Sequence, residues 1–251
     1  MPIFSDLKAD PNKILPFSYP WSVEHYKTGN ANHWTPEEVP MQNDVEMWKS
    51  DRLSEEERKI ILWNLGFFST AESLTANNLV LAVYNHVTDP GCRLYLLRQA
   101  LEEAIHTQTF CYVISSLNLD VDEIYKMYNE IPSIQKKDDY VVKLTKTVFD
   151  PNFSVDSVEK VREFLTDLIG FYVIMEGIFF YAGFAMMLSL KRQHKMIGIG
   201  EQFSLILRDE SVHLAFGCDL IDQIRREHPE AWNDEFEQKV LSLILEAVDL
   251  E

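Results

Sequence analysis

Residues 103–106 read Glu-Ala-Ile-His, and residues 210–213 read Glu-Ser-Val-His. No other Glu-x-x-His occurs in the 251 residues. Residues three apart lie on one face of an α-helix, so each motif presents a carboxylate and an imidazole together. Two such helices that face each other bring two glutamates and two histidines to one point. One motif alone would be weak evidence, but the pair predicts a helical protein with a shared metal site.

Two further carboxylates are each the only charged side chain in a long stretch of sequence. Glu176 lies near the middle of the apolar residues 170–190, and Glu72 is the one acidic or basic residue between Asn64 and His86. A buried charge without compensation is costly, so Glu176 must be paired or bound to metal. Two helices with one Glu each and two with Glu-x-x-His form the ligand set of ferritin-like dinuclear bundles. The predicted fold is therefore all-α, a ferritin-like bundle with a dinuclear metal site inside a four-helix core.

The predicted metal ligands are carboxylates and imidazoles without a thiolate: Glu72, Glu103, His106, Glu176, Glu210 and His213. Each has an ordinary alternative when taken alone, which is a solvated helix face for Glu103 or Glu210 and a buried salt bridge for Glu176. Oxygen and imidazole donors favour Fe and Mn over a structural zinc site. The spacing does not distinguish Fe–Fe from Mn–Fe or Mn–Mn.

Asp209 directly precedes Glu210 and follows Arg208. A carboxylate beside a metal site can accept a hydrogen bond from the outer nitrogen of a metal-bound histidine and fix its tautomer. Asp209 could do this for His106. The alternative is a surface ion pair between Asp209 and Arg208.

Composition limits the class of protein. The formal net charge of -17 argues against binding to nucleic acid or to an anionic membrane surface. The three cysteines have no metal-ligand spacing, and the N-terminus lacks a basic segment followed by an apolar run. We therefore expect a cytoplasmic protein with reduced thiols.

Residues 170–190 are long and apolar enough to cross a bilayer. The carboxylate of Glu176 in the centre of this stretch would be costly in lipid. A helix that is apolar all round is also typical of the centre of a large soluble bundle. We therefore expect no membrane span.

The chain is predicted to form a single domain, residues 1–251. Residues 1–50 contain six prolines and are predicted to be an irregular segment packed on the bundle. Capping residues, prolines and apolar periodicity predict helices at about 54–86, 92–117, 121–130, 133–148, 157–191 and 201–227, with a last helix from about 233.

Five segments of the chain are distinctive: WKSDRLSEEERKIILWNLGFFSTAES (48–73), LLRQALEEAIHTQTF (96–110), IMEGIFFYAGF (174–184), RQHKMIGIGEQ (192–202) and ILRDESVHLAFG (206–217). They resemble the small (radical-generating, beta) subunit of class I ribonucleotide reductase, and within that family the chlamydial type, called class Ic. The metal ligands of that family fall on the same six positions that the spacing predicts.

The resemblance implies a function. The protein is expected to assemble its metal centre with O2 and to supply a radical to a large (alpha) subunit, which reduces ribonucleotides to deoxyribonucleotides. It also implies a homodimer, with helices near residues 54–117 forming most of the interface.

Phe110 occupies the position where most members of the family carry the radical tyrosine, and Glu72 stands where many have Asp. Phe has no phenolic proton to lose. The resemblance to class Ic therefore implies one Mn and one Fe per chain, with the oxidising equivalent stored in the metals; two Fe are the alternative. Phe110 is expected to lie in an apolar pocket with Phe180, Phe184 and Ile206.

The resemblance also implies a path for the radical. Trp34 matches the tryptophan of the family's relay, and Asp209 and His106 would link it to the metals. The chlamydial type has a second tyrosine where this chain has Leu205, so that detail does not transfer.

Members of the family continue past the position of Glu251, with further helices and a flexible tail that docks the large subunit. This chain stops within a predicted helix. We therefore expect it to hold metal but not to support turnover by itself.

Two other functions fit parts of the pattern. A ligand-binding oxidase related to the small subunit would share the Mn/Fe site, bind a fatty acid and need no large subunit. An iron-storage bundle would share the helices but need no line of residues from Trp34 to the metals.

Overall fold

The computed structural model describes residues 2–4, 14–74 and 80–251, without the side chains of residues 72–74, 128 and 129. Every regular element within these residues is helical. The α-helices are α1 (Pro20–Ala31), α2 (Gln42–Trp48), α3 (Glu55–Leu74), α4 (Val80–His86), α5 (Pro90–Leu117), α6 (Val121–Glu130), α7 (Pro132–Thr145), α8 (Val158–Leu168), α9 (Phe180–Arg192), α10 (Ile197–Glu227) and α11 (Asp234–Leu250). The all-α prediction is confirmed.

A π-helical segment, Ile169–Phe179, joins α8 to α9 without a break. The sequence predicts one continuous α-helix over 157–191, so the change of winding was not foreseen. A π-helical turn shifts the register of the side chains that follow it, and such turns occur often at functional sites. This one contains Glu176.

The core consists of α3, α5, α10 and the helix formed by the π-helical segment and α9. These helices pack on one another, and α1 covers α5 and α10 from outside. By length and composition alone, Val158–Arg192 could cross a membrane, but half of its most apolar window is buried inside the protein.

The prediction of an irregular segment over residues 1–50 is wrong, because α1 and α2 lie within it. Six prolines suggested irregular structure, but proline fits the first turn of a helix, where its missing N–H is not needed. Pro20 is the first residue of α1.

The sequence predicts a helix that begins at about residue 201, but α10 begins earlier, at Ile197. The reason lies on α2. The carboxylate of Asp44 accepts hydrogen bonds from the N–H groups of Gly198 (3.0 Å) and Ile199 (2.7 Å). Asp44 thus supplies from another helix the acceptors that the first turn of α10 lacks.

Candidate metal centre

Four buried side chains from three helices converge in the core. Glu103 comes from α5, Glu176 from the π-helical segment, and Glu210 and His213 from α10. One ligand atom from each lies within 4.8 Å of every other. All four side chains are fully buried.

His106 joins this cluster. Its Nδ1 lies 3.1 Å from Oε1 of Glu210 and 3.7 Å from Oε2 of Glu103. The Nδ1 atom of His213 lies 3.2 Å from Oε1 of Glu103 and 3.3 Å from Oε2 of Glu210. Both imidazoles therefore point Nδ1 toward the carboxylates. The structure brings together five of the six predicted ligands, and the side chain of the sixth, Glu72, lies outside the described residues.

The donor set fits a dinuclear metal centre. Both carboxylate oxygens of Glu103 and of Glu210, together with Nδ1 of His213, make no hydrogen bond within the part of the protein that the structure describes. Buried carboxylates need a compensating charge or donor. Cations at the meeting point of these oxygens and imidazoles would supply it, and the donor types suit Fe or Mn.

The electrostatics of the cluster also favour bound cations. Burial raises the pKa of Glu103, but the imidazoles of His106 and His213 lower it by more, so its net pKa is below the usual range. Burial lowers the pKa of His213, but the surrounding carboxylates, Glu210 first, raise it well above the usual value. The cluster thus holds concentrated negative charge that attracts either protons or metal cations.

The outer nitrogen of His106 faces a second layer of residues. Its Nε2 lies 3.4 Å from Oδ2 of Asp209, and the indole Nε1 of Trp34 donates to the same oxygen at 2.7 Å. Arg208 lies 3.4 Å from the other oxygen of Asp209. Burial raises the pKa of Asp209, but the hydrogen bonds from His106 and Trp34 lower it by more. The structure therefore brings Trp34, Asp209 and His106 into one hydrogen-bonded line.

Sequence reasoning missed the corresponding partner of His213. Its Nε2 lies 2.9 Å from Oε2 of Glu102, and Arg98 donates to Oε1 of Glu102 at 3.1 Å. A signal was present, since Glu102 directly precedes Glu103 as Asp209 directly precedes Glu210.

Gln99 and Tyr172 were missed as well. Gln99 donates to Oε1 of Glu176 at 3.2 Å, and the Tyr172 hydroxyl donates to Oε1 of Gln99 at 3.0 Å. Both side chains are fully buried. Their role depends on the packing of α5 against the π-helical segment, which no local pattern indicates.

Residues 11–251 match the family model for the ribonucleotide reductase small chain. The protein belongs to that family. It is 57% identical over 244 residues to the ribonucleoside-diphosphate reductase subunit beta of Chlamydia pneumoniae, a match that covers 70% of the relative and 97% of this chain. It is 28% identical over 241 residues to a ribonucleoside-diphosphate reductase small chain of Arabidopsis thaliana, with 64% of the relative and 95% of this chain covered. The sequence thus spans about two thirds of the length of these relatives.

Solved structures show the same fold. The ribonucleotide reductase R2 subunit from Clostridium botulinum superposes with a TM-score of 0.83 at 25% identity, covering 71% of that structure and 93% of this chain. A putative class I ribonucleotide reductase from Bacillus halodurans gives 0.81 at 25% identity, covering 80% of that structure and 92% of this chain. The predicted ferritin-like class and the resemblance to the chlamydial type are confirmed.

In this small subunit, Phe110 lies in an apolar cluster, one helical turn after His106 on α5. Its ring stacks on Phe68 at 5.8 Å and meets Phe203 edge-on at 5.8 Å. Phe180 and Phe184 pack against Phe68 at 5.2 and 5.1 Å. The predicted neighbours Phe180, Phe184 and Ile206 are all buried, but the ring contacts of Phe110 are with Phe68 and Phe203, which the sequence did not indicate.

Proposed function

We propose that this protein is the radical-generating small subunit of a ribonucleoside-diphosphate reductase. It assembles a dinuclear Mn/Fe centre with O2 and supplies a one-electron hole to a large (alpha) subunit, which reduces ribonucleotides to deoxyribonucleotides. We further propose a cytoplasmic homodimer. The names of the Chlamydia pneumoniae and Arabidopsis thaliana relatives support the reaction and its diphosphate substrates.

The proposal rests chiefly on the line of Trp34, Asp209 and His106. An iron-storage bundle needs metal ligands. It has no need for a buried tryptophan whose indole is hydrogen-bonded to the carboxylate that contacts a ligand histidine. Here the indole N–H of Trp34, which is 3% exposed, donates to the same carboxylate oxygen that faces His106. This contact gives a route between the centre and a side chain that can lose an electron.

The proposed ligands are the predicted set: Glu72, Glu103, His106, Glu176, Glu210 and His213. Their four carboxylates offset the charge of two metal cations, and the two histidines would bind through Nδ1. The bound metal pair would supply the one-electron oxidising equivalent.

The protein's own residues would control where that equivalent goes. Asp209 stays ionised at neutral pH because His106 and Trp34 hold its pKa low against the effect of burial. Its negative charge therefore stabilises positive charge that develops on the Trp34 ring. The N–H of Trp34 stays bonded to Oδ2 of Asp209, which keeps the two groups in contact.

Phe110 supports the Mn/Fe assignment over two Fe. A buried phenyl ring at this position has no hydroxyl to oxidise, and its ring partners Phe68 and Phe203 offer none. The oxidising equivalent would therefore have to stay on the metals rather than on a tyrosine at position 110.

The test begins with apo-protein mixed with Mn(II) and Fe(II) in air, followed by metal analysis by mass spectrometry. One Mn and one Fe per chain are expected, and two Fe without Mn would contradict the Mn/Fe assignment. The loaded protein is then assayed with the large subunit of the chlamydial relative. Deoxyribonucleotide formation is expected from the small subunit extended to the length of that relative. Its absence at full metal content would contradict the reductase function.

A further inference from the structure

We infer that Glu102, held by Arg98, is a positioning residue that orients His213 for metal binding. The inference rests on the proposed metal centre and concerns residues that the family resemblance did not mark. The geometry that carries it is a buried series of contacts from Arg98 through Glu102 to the outer nitrogen of His213.

The contact between Glu102 and His213 fixes the tautomer of the imidazole. A carboxylate only accepts hydrogen bonds, so the 2.9 Å contact from Nε2 of His213 places a proton on that nitrogen. In the neutral ring, Nδ1, which faces Glu103 and Glu210, then presents its lone pair to a cation. The outer-layer carboxylate thereby selects the form of His213 that can bind metal.

Arg98 fixes Glu102 in turn. The two oxygens of Glu102 have separate partners, since Oε2 faces His213 and Oε1 accepts from Nε of Arg98 at 3.1 Å. The side chains of Arg98 and Glu102 are 4% and 1% exposed. A charge-assisted pair at this depth restricts Glu102 to few positions.

Helix α1 closes over this pair with a glycine. A Cβ at Gly29 would lie 2.9 Å from Cγ of Arg98 and 2.9 Å from Oε1 of Glu102. Glycine in a helix interior is unfavourable by itself, so its presence here reflects the close approach of α1 to the ion pair. Contacts with residues of three helices, α1, α5 and α10, therefore restrict the positions of the Arg98 and Glu102 side chains.

The test compares metal affinity with the stability of the apo-protein. The main variant is the double substitution Arg98→Met and Glu102→Leu, which keeps side-chain volume and leaves no buried charge unpaired. Replacing a buried ion pair with apolar residues is often neutral or stabilising. We therefore expect the apo-protein of this variant to melt at or above the wild-type temperature.

Metal binding should change in the opposite direction. Titration with Mn(II), with free Mn(II) followed by EPR, should show one of two positions weakened about 10–100-fold in the double variant, as for other lost outer-layer partners. Glu102→Gln keeps an acceptor for Nε2 of His213 and should bind more tightly than the double variant. Gln108→Ala, on an exposed turn of the same helix, is the matched control and should bind as wild type.

Two results would overturn the inference alone. One is wild-type Mn(II) affinity in the double variant. The other is a fall in affinity that only parallels a fall in apo-protein melting temperature across all variants, which would indicate a structural role. Failure of the wild-type protein itself to bind Mn(II) would instead overturn the proposed metal centre on which the inference stands.

Discussion

The two halves of the candidate centre have the same arrangement of a histidine and an acidic residue, but they differ in the third residue, which contacts the acid. The Asp209 half consists of His106, Asp209 and Trp34, and the Glu102 half consists of His213, Glu102 and Arg98. In both, an acidic residue directly before a proposed glutamate ligand contacts the histidine of the other motif. The acid then meets an indole in the first half and a guanidinium in the second.

This difference distinguishes a half that only fixes the position of its histidine from a half that can also transfer an electron. Arg98 and Glu102 form a closed ion pair that fixes geometry but offers no group that loses an electron readily. Trp34 adds an oxidisable ring to an otherwise similar arrangement. The neighbouring residues His33 and Trp34 approach opposite halves, since Nδ1 of His33 lies 3.5 Å from Arg98 and the Trp34 indole bonds to Asp209.

The largest expected effect concerns the ligand histidine that each half contains. His106→Ala and His213→Ala should each reduce metal content from two to one or fewer per chain, because a lost ligand weakens binding more than the roughly 10–100-fold effect of a lost outer partner. Metal analysis by mass spectrometry measures this. His25→Ala, a histidine paired with Asp219 outside the cluster, should keep both metals. Full metal content in either ligand variant would contradict the equivalence of the halves.

Asp167 is a buried carboxylate outside both halves, and among the residues that the structure describes it lacks a positively charged partner of the kind that they contain. Burial raises the pKa of Asp167 from 3.8 to about 7, because the N–H groups of Val148 and Thr147 only partly compensate. The folded state then binds more protons than the unfolded state between these values. The free energy of unfolding should therefore fall as pH rises through this window, by up to ~1.4 kcal/mol per pH unit.

Asp167→Asn should remove this slope. Chemical denaturation between pH 4 and pH 8 measures it, and the stability of the variant relative to wild type should increase with pH. Exposed Asp249→Asn is the control and should leave the slope unchanged. Parallel pH curves for wild type and Asp167→Asn would show that burial does not perturb this carboxylate.

Packing beside Glu176 gives a smaller effect. A Cβ on Gly217 would overlap the side chain of Tyr172, which is bonded to Gln99 and through it to Glu176. Gly217→Ala should lower the free energy of unfolding by about 1–3 kcal/mol through overpacking. Thermal denaturation measures it, with exposed Ala215→Ser as the control. A stabilised Gly217→Ala protein would indicate that α10 moves away freely.

The smallest expected effect concerns the start of α10, far from Asp209 and Glu102. Asp44→Ala removes the acceptors for the N–H groups of Gly198 and Ile199. A lost helix cap of this kind should cost about 1–2 kcal/mol in unfolding free energy. Denaturation in urea measures it, and Asp44→Asn should recover part of the loss. An unchanged midpoint for Asp44→Ala would mean that water replaces the carboxylate.

The sequence predicted what depends on local spacing. The Glu-x-x-His motifs needed only helical periodicity, and Glu176 needed only its apolar surroundings. Asp209 was found because it precedes Glu210. Glu102 stands in the same relation to Glu103, and comparing the two motifs residue by residue would have revealed it.

Other features depend on how distant helices meet. Phe68 contacts Phe110 only because α3 packs on α5. The π-helical segment lies in a stretch that is apolar on every face, so no periodic stripe marks the change of winding. Proline content misled the prediction for residues 1–50, because Pro20 begins a helix there rather than breaking one.

The most direct test of the difference between the halves is reductase turnover of Trp34→Phe with the large subunit, at matched metal content. Variant and wild type are both extended to the length of the chlamydial relative. The account predicts that turnover falls at least ~100-fold, which corresponds to about 2.7 kcal/mol in barrier height, while the metals stay bound. His33→Ala, one residue away on the Glu102 half, should keep wild-type turnover. Wild-type turnover in Trp34→Phe at full metal content would contradict the account.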